Sequence, residues 1–147
     1  MQLGKFTDFG LRVLVHLAAT APDRQSARQI AQVFNVSEHH LAKVCSRLVQ
    51  AGFLISERGR AGGLWLARPV DQITLGAVAR ALTKGHPLVE CFGDGPCDCL
   101  ILPVCGLKSP LAEAREAFFA ALDQHTLQDV VAPQMPALRR LLADAGV

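Results

Sequence analysis

Apolar positions along the chain fall first into a helical period. From residue 8 to residue 19, Leu11, Leu14, Val15 and Ala18 share one face of a helix, and Thr7 or Asp8 is placed to cap its start. Residues 20–25, with Pro22 and Asp23, close that helix. Ser26 precedes Gln29 at capping-box spacing and opens a short helix with Ile30, Ala31 and Val33 inward. Asn35 and Val36 form a turn, Ser37 caps a third helix with Leu41, Val44, Cys45 and Leu48 inward, and Gly52 stands where a helix-ending glycine belongs. Two short capped helices joined by a tight turn meet the requirement of a helix-turn-helix.

The period then changes. Residues 53–56 and 64–67 read as short strands, and the glycine-rich segment 57–63 between them carries Arg58 and Arg60 at a hairpin tip. A hairpin directly after the second helix of such a unit is a wing. Pro69 ends the second strand, and a helix opens at Ile73 and Thr74 and runs to Leu82, with Leu75, Val78, Ala79 and Leu82 apolar. Residues 83–108 show no period and contain four cysteines, so the stretch reads as a functional loop. Ser109 and Pro110 are placed as cap and first residue of an amphipathic helix on which Leu111, Ala114, Phe118, Ala121 and Leu122 recur. Such a helix at the end of a small winged domain finds its partner in a second copy, or else packs inside its own chain. Thr126 and Asp129 cap a further short turn, and the tail beyond Pro133 is rich in Leu and Arg.

The architecture expected is therefore mainly α with a small β-hairpin wing. A winged helix-turn-helix spans residues 1–82, a cysteine loop 83–108, and a dimerisation helix with tail 109–147.

Charge sharpens the picture of the first part. Residues 1–70 hold nine Lys/Arg against four Asp/Glu, a net of +5, whereas residues 71–147 net −3. A basic first half suits a polyanion. On the outer face of the third helix, His39, His40, Lys43, Ser46 and Arg47, with Ser37 at its cap, can donate hydrogen bonds to base edges and phosphates. In the wing, Arg58 and Arg60 can reach phosphate or a narrow minor groove, and Gly62 allows close backbone approach. Double-stranded DNA is the partner these residues suit, although a solvated helix and an exposed hairpin would carry similar side chains. No apolar run approaches the ~20 residues of a membrane span, and residues 1–7 lack a signal-peptide core, so a cytoplasmic protein is expected.

Cysteine supplies the remaining chemistry. Four of the five cysteines, Cys91, Cys97, Cys99 and Cys105, fall within fifteen residues. In a reducing compartment, clustered thiols ligate metal or do redox work more often than they form structural disulfides. Soft thiolates select zinc, copper(I) or iron–sulfur clusters. Spacing alone leaves two triplets open: Cys91, Cys99 and Cys105, or Cys91, Cys97 and Cys105. Cys45 faces the core of its helix and reads as a small buried hydrophobe. A structural zinc site and a thiol redox enzyme compete with the cluster. Against an enzyme, no catalytic base, phosphate-binding loop or cofactor fingerprint accompanies the thiols.

Several segments together resemble the Rrf2 family of bacterial winged-helix regulators, in particular its nitric-oxide-sensing branch. They are Phe6-Thr7-Asp8-Phe9-Gly10-Leu11-Arg12, the wing motif Arg58-Gly59 with Gly62-Gly63, the step from Pro69 to Ile73, Leu88-Val89-Glu90-Cys91, and the run from Cys99 to Lys108. The likeness spans roughly residues 1–131. It implies a homodimeric repressor of an inverted-repeat operator holding a 2Fe-2S or 4Fe-4S cluster, with nitric oxide as effector. It also implies three cysteine ligands from one subunit, Cys91, Cys99 and Cys105, with Cys97 as the alternate, and a fourth ligand at Asp8 of the other subunit. Three thiolates and a carboxylate would make an unusual structural zinc site, whereas a labile oxygen ligand suits a sensor. The branch that regulates cluster assembly carries a His two residues after the last cysteine; Leu107 stands there in this chain. A response to iron, cluster availability or redox state is the alternative within the same family.

Overall fold

Helical hydrogen bonding begins earlier than the capping residues suggest. In the computed structural model, which describes residues 3–59 and 62–145, the first helix α1 spans Lys5–Thr20 behind Gly4. The amides of Thr7 and Asp8 both donate to the Gly4 carbonyl, so the two residues expected to cap the helix lie inside its first turn, with Thr7 buried. The buried face is also broader than the period indicated: Val13 and Leu17 join Leu14 and Ala18, while Leu11 and Val15 are half-buried. A helix touched on several sides needs such a face. α1 packs against four other helices and the second strand.

The helix-turn-helix forms where local chemistry placed it. Ser26 and Gln29 close a reciprocal capping box at the start of α2 (Ala27–Val33), and the Ser37 hydroxyl accepts from the His40 amide at the start of α3 (Glu38–Gln50). Caps of this kind are worth about 1 kcal/mol each. Asn35 takes φ +50° in the turn, and Gly52 takes φ +74° just past α3, where a left-handed residue stops a helix. Strands β1 (Leu54–Glu57) and β2 (Gly63–Leu66) pair antiparallel, with Leu54 opposite Leu66 and Glu57 opposite Gly63. Phe53 lies buried just ahead of the ladder.

Helix α4 (Leu75–Thr83) follows, capped by the Thr74 hydroxyl, which accepts from the Ala77 amide. It buries Val78, Ala79 and Leu82. After the cysteine segment come α5 (Lys108–Asp123), α6 (Leu127–Val131) and α7 (Met135–Asp144). Thr126 and Asp129 form a second capping box at α6.

Two expectations for the last third are corrected. Helix α5 starts at Lys108 with no side-chain cap; the Ser109 hydroxyl instead bonds Glu113 at 2.9 Å. Its inward residue is Phe119, flanked by half-buried Leu111, Phe118 and Leu122, while Ala114 and Ala121 are exposed. The turn of that face is set by Gly76, which leaves no room for a Cβ against the Phe119 carbonyl and the Asp123 side chain. The Leu- and Arg-rich tail forms a helix. α7 returns to α1, with Met135 and Leu138 against the core and the Arg139 Nε donating to the Ala19 carbonyl at 3.2 Å. That carbonyl is among the last four of α1, which lack partners within the helix.

His16 is the buried ionisable group of α1, 1% exposed and edge-on to Phe34. Neither ring nitrogen has a hydrogen-bond partner of good geometry among the described residues. Burial pushes its pKa below the ordinary histidine value of 6.5, and the neighbouring Gln25 side chain offsets this only in part. The unfolded chain therefore takes up the proton first, so stability is undiminished above pH 6.5 and falls as the pH drops below it. Thermal melting of wild type across that range should show this loss, and His16→Leu should remove most of it. An identical pH profile for the two proteins would sink the assignment.

Candidate functional site

The outer face of α3 presents His39, Ala42, Lys43, Ser46 and Gln50 to solvent. They are exposed because Leu41, Val44, Cys45 and Leu48 fill the opposite face, and burial pushes the Cys45 thiol up to about 11. That thiol stays protonated at neutral pH and behaves as an apolar side chain. Two side chains expected on the outer face are partly occupied elsewhere. His40 is half-buried and edge-on to Phe9 at 5.5 Å and to Phe6 at 6.1 Å, tying the first turns of α1 and α3 together. Arg47 is half-buried and donates its Nε to the Ala81 carbonyl of α4 at 3.2 Å.

The wing is held by a residue that the sequence left unremarked. Arg24 pairs with Glu57 on β1 and lies 4.0 Å above the Trp65 ring on β2. Beside it, Gln25 and Leu64 exchange backbone hydrogen bonds at 2.8 and 3.2 Å, a single antiparallel bridge onto β2. No sequence period marks this, because a single bridge leaves no alternation. Gly62 closes the tip by donating to the Gly59 carbonyl at 3.0 Å, and a Cβ there would collide with the Glu57 carbonyl. Arg58 is exposed, and Arg60 lies outside the described residues. Between α3 and the wing runs a groove of about 490 Å³, whose lining includes the hydroxyls of Ser26, Ser46 and Ser56.

The second candidate site is the cysteine segment. Short 3-10 turns at Glu90–Phe92 and Leu102–Val104 interrupt an otherwise irregular chain. Cys91 and Cys105, both half-buried, line one cavity of about 570 Å³ with Phe92, Lys108, Ser109, Ala112 and Arg115 of the adjoining α5. The Arg115 guanidinium lies 5.2 Å from the Phe92 ring. Two thiols beside two cations suit a soft, anionic group. Cys99 is exposed and Cys97 half-buried, and neither lines the cavity. Among the described residues no three metal-ligating side chains converge. Asp8 sits apart on α1, held by Arg12 at 2.8 and 3.0 Å. One chain thus brings together two of the proposed ligands and leaves Cys99 and Asp8 elsewhere.

Next to these thiols the surface is apolar. Leu100 is 94% and Val104 85% exposed, with Ile101 and Leu107 also uncovered. Patches of this kind mark interaction surfaces. Among the described residues no helix is long and apolar enough to cross a membrane.

A family model described as Rrf2, iron-dependent transcriptional regulator, matches residues 3–133. The HTH-type transcriptional regulator NsrR of Bacillus subtilis (strain 168) is 44% identical over 132 residues, covering 89% of this chain and 90% of that protein. The protein of the same name from Geobacillus kaustophilus is 40% identical over 145 residues, covering 98% of each. Among solved structures, CymR, the global cysteine regulator of B. subtilis, superposes with a TM-score of 0.67 at 28% identity, covering 90% of this chain and 97% of that one. T. potens IscR, at 24% identity and a TM-score of 0.65 over 93% of this chain and 90% of its own, shares the fold.

Arg24→Ala removes the pairing with Glu57 and the contact with the Trp65 ring. It should cost about 1 kcal/mol and speed amide exchange in β1 and β2 more than in α1. Equal acceleration in hairpin and core would show that Arg24 does not hold the wing.

Proposed function

The chain belongs to the Rrf2 family of transcriptional regulators, and from that premise we propose that it is a homodimeric repressor whose cysteine segment holds an iron–sulfur cluster, of 2Fe-2S or 4Fe-4S type, and senses nitric oxide. The observation that carries the proposal is the shared cavity of Cys91 and Cys105 against the cationic start of α5. Its donors fit the group: thiolates are soft ligands, and Lys108 and Arg115 offset the negative charge that a thiolate-bound cluster brings. Cys99 is the third ligand proposed within the chain, with Cys97 as alternate, and Asp8 of the other subunit the fourth. When bound, the cluster supplies iron that reacts with nitric oxide.

The chain's own residues supply the rest. Lys43 and Arg58, with the hydroxyls of Ser37 and Ser46, meet backbone and base edges of double-stranded DNA, and His39 is exposed on the same helix. Arg60 of the wing is assigned the same role. Gly62 shapes the wing tip, and His40 orients the start of α3 through Phe6 and Phe9. A second copy suits the uncovered Leu100, Ile101, Val104 and Leu107 and the exposed Ala114, Ala117 and Ala121 of α5, where small side chains permit close helix approach. Two copies place two α3 helices for the half-sites of an inverted repeat, about 34 Å apart.

A second reading, in which loss of iron or of the cluster is itself the signal, is favoured by the description of the family model as iron-dependent. Chelation and nitric oxide separate the two. Protein purified without oxygen should contain iron and sulfide. Cys91→Ala, Cys99→Ala and Cys105→Ala should each lose iron, while Cys45→Ala and Cys97→Ala keep it. Nitric oxide should weaken operator binding by about tenfold or more in an anaerobic gel shift; unchanged binding would remove nitric oxide as effector, and iron-free wild type would remove the cluster. On the DNA side, Lys43→Ala and Arg58→Ala should each lower the slope of log affinity against log salt by about one. A slope equal to wild type in both would move the contacts elsewhere.

A further inference from the structure

Arg47 sits on the helix assigned to read DNA, but its geometry points inward. Its Nε donates at 3.2 Å to the Ala81 carbonyl, and Ala81 lies in the last turn of α4, which ends at Thr83. The last four carbonyls of a helix have no partner within it and carry the negative end of its dipole. A guanidinium there satisfies an orphan acceptor and a partial charge together. The half-buried position of Arg47 fits that use.

The opposite side of α4 is clamped as firmly. Arg80 pairs with Asp123 at 2.6 Å and with Glu116 at 3.7 Å, and its guanidinium lies 4.8 Å from the Phe119 ring of α5. Gly76 brings the two helices together closely enough to exclude a Cβ. Glu116 in turn pairs with Arg115, which stands over Phe92 beside Cys91. A connected set of contacts therefore leads from the cysteine cavity along α5 to α4, and from the end of α4 to α3.

The geometry points to Arg47 as a positioning residue: it latches the recognition helix to α4, so that the grip of α5 on α4 through Arg80 sets the pose in which α3 meets DNA. The latch itself needs only the contacts above; its consequence for repression rests on the function proposed here. Coupling along such a series makes changes at its two ends fail to add.

Substitutions at Arg47 and Arg80, singly and together, decide it. Arg47→Ala and Arg80→Ala should each weaken operator binding about five- to tenfold while leaving the salt slope and the ranking of operator variants as in wild type. The double variant should be little weaker than either single one. Arg47→Gln drops the charge but keeps an N–H donor at the position of Nε, so it should regain part of the affinity lost in Arg47→Ala. A slope lowered by about one or an altered base preference in Arg47→Ala would make Arg47 a DNA contact and overturn the latch. Additive losses in the double variant would overturn it as well. A readout without DNA stands beside these: Arg80→Ala should speed amide exchange in α3 and leave α7 unchanged, and unaltered exchange in α3 counts against the latch. Should wild type bind no operator, the proposed function fails, and the exchange result alone decides for or against the latch.

Discussion

Helix α4 lies closer to its neighbours than side chains ordinarily permit, and the rest of the molecule is arranged around that closeness. On one side a Cβ at Gly10 of α1 would strike the Leu82 side chain; on the other a Cβ at Gly76 would strike the backbone of α5. Interiors this dense transmit displacement rather than absorb it. Because Val78, Ala79 and Leu82 fill the core while Arg80 and the Ala81 carbonyl meet groups on α5 and α3, α4 is shared by the DNA-facing part and the cysteine-bearing part. Neither part can shift against α4 without breaking hydrogen bonds or packing.

The same geometry changes how basic residues should be counted. The first seventy residues carry a net charge of +5, which suits a polyanion. Yet Arg12 is paired with Asp8, Arg24 with Glu57, and Arg47 with a helix-end carbonyl. Arg139, far along the chain, closes the end of α1 as Arg47 closes the end of α4. Long-range attraction to DNA depends on the sum of charges, whereas contact depends on which side chains remain at the surface, such as Lys43 and Arg58.

What could be read from sequence was chemistry completed within a few residues. The boxes at Ser26 and Gln29 and at Thr126 and Asp129, the turn at Asn35, and the glycine at 52 all formed, because each needs only its own neighbours. The inner face of α3 was legible for the same reason, and so was the family, whose wing and cysteine motifs are contiguous. What failed depended on distant partners. Thr7 has capping chemistry but is buried in the first turn of α1, the face of α5 is rotated toward Gly76, and α7 acquires its apolar side only against α1. Arg24 and Arg47 escaped notice in their observed roles because nothing adjacent to them names Trp65 or Ala81. At the cysteine segment, spacing left two triplets open, and the cavity brings Cys91 and Cys105 together without Cys97 or Cys99.

That last result follows from how the segment is built. A chain of 3-10 turns and bends has few backbone bonds of its own to fix a path, and this one turns Leu100 and Val104 outward instead of into a core. It meets α5 at the cavity that Cys91 and Cys105 line, and Cys97 and Cys99 between them lie outside that cavity. Under the proposed function, two further sources of order act on that middle stretch: a cofactor drawing in the third thiol, and a second copy covering the apolar residues. Both would act next to Lys108 and Arg115, at the end of α5 remote from Asp123. Under that same proposal, irregular chain stands at the ligand, and the close contacts of α4 with α1 and α5 lie between it and α3.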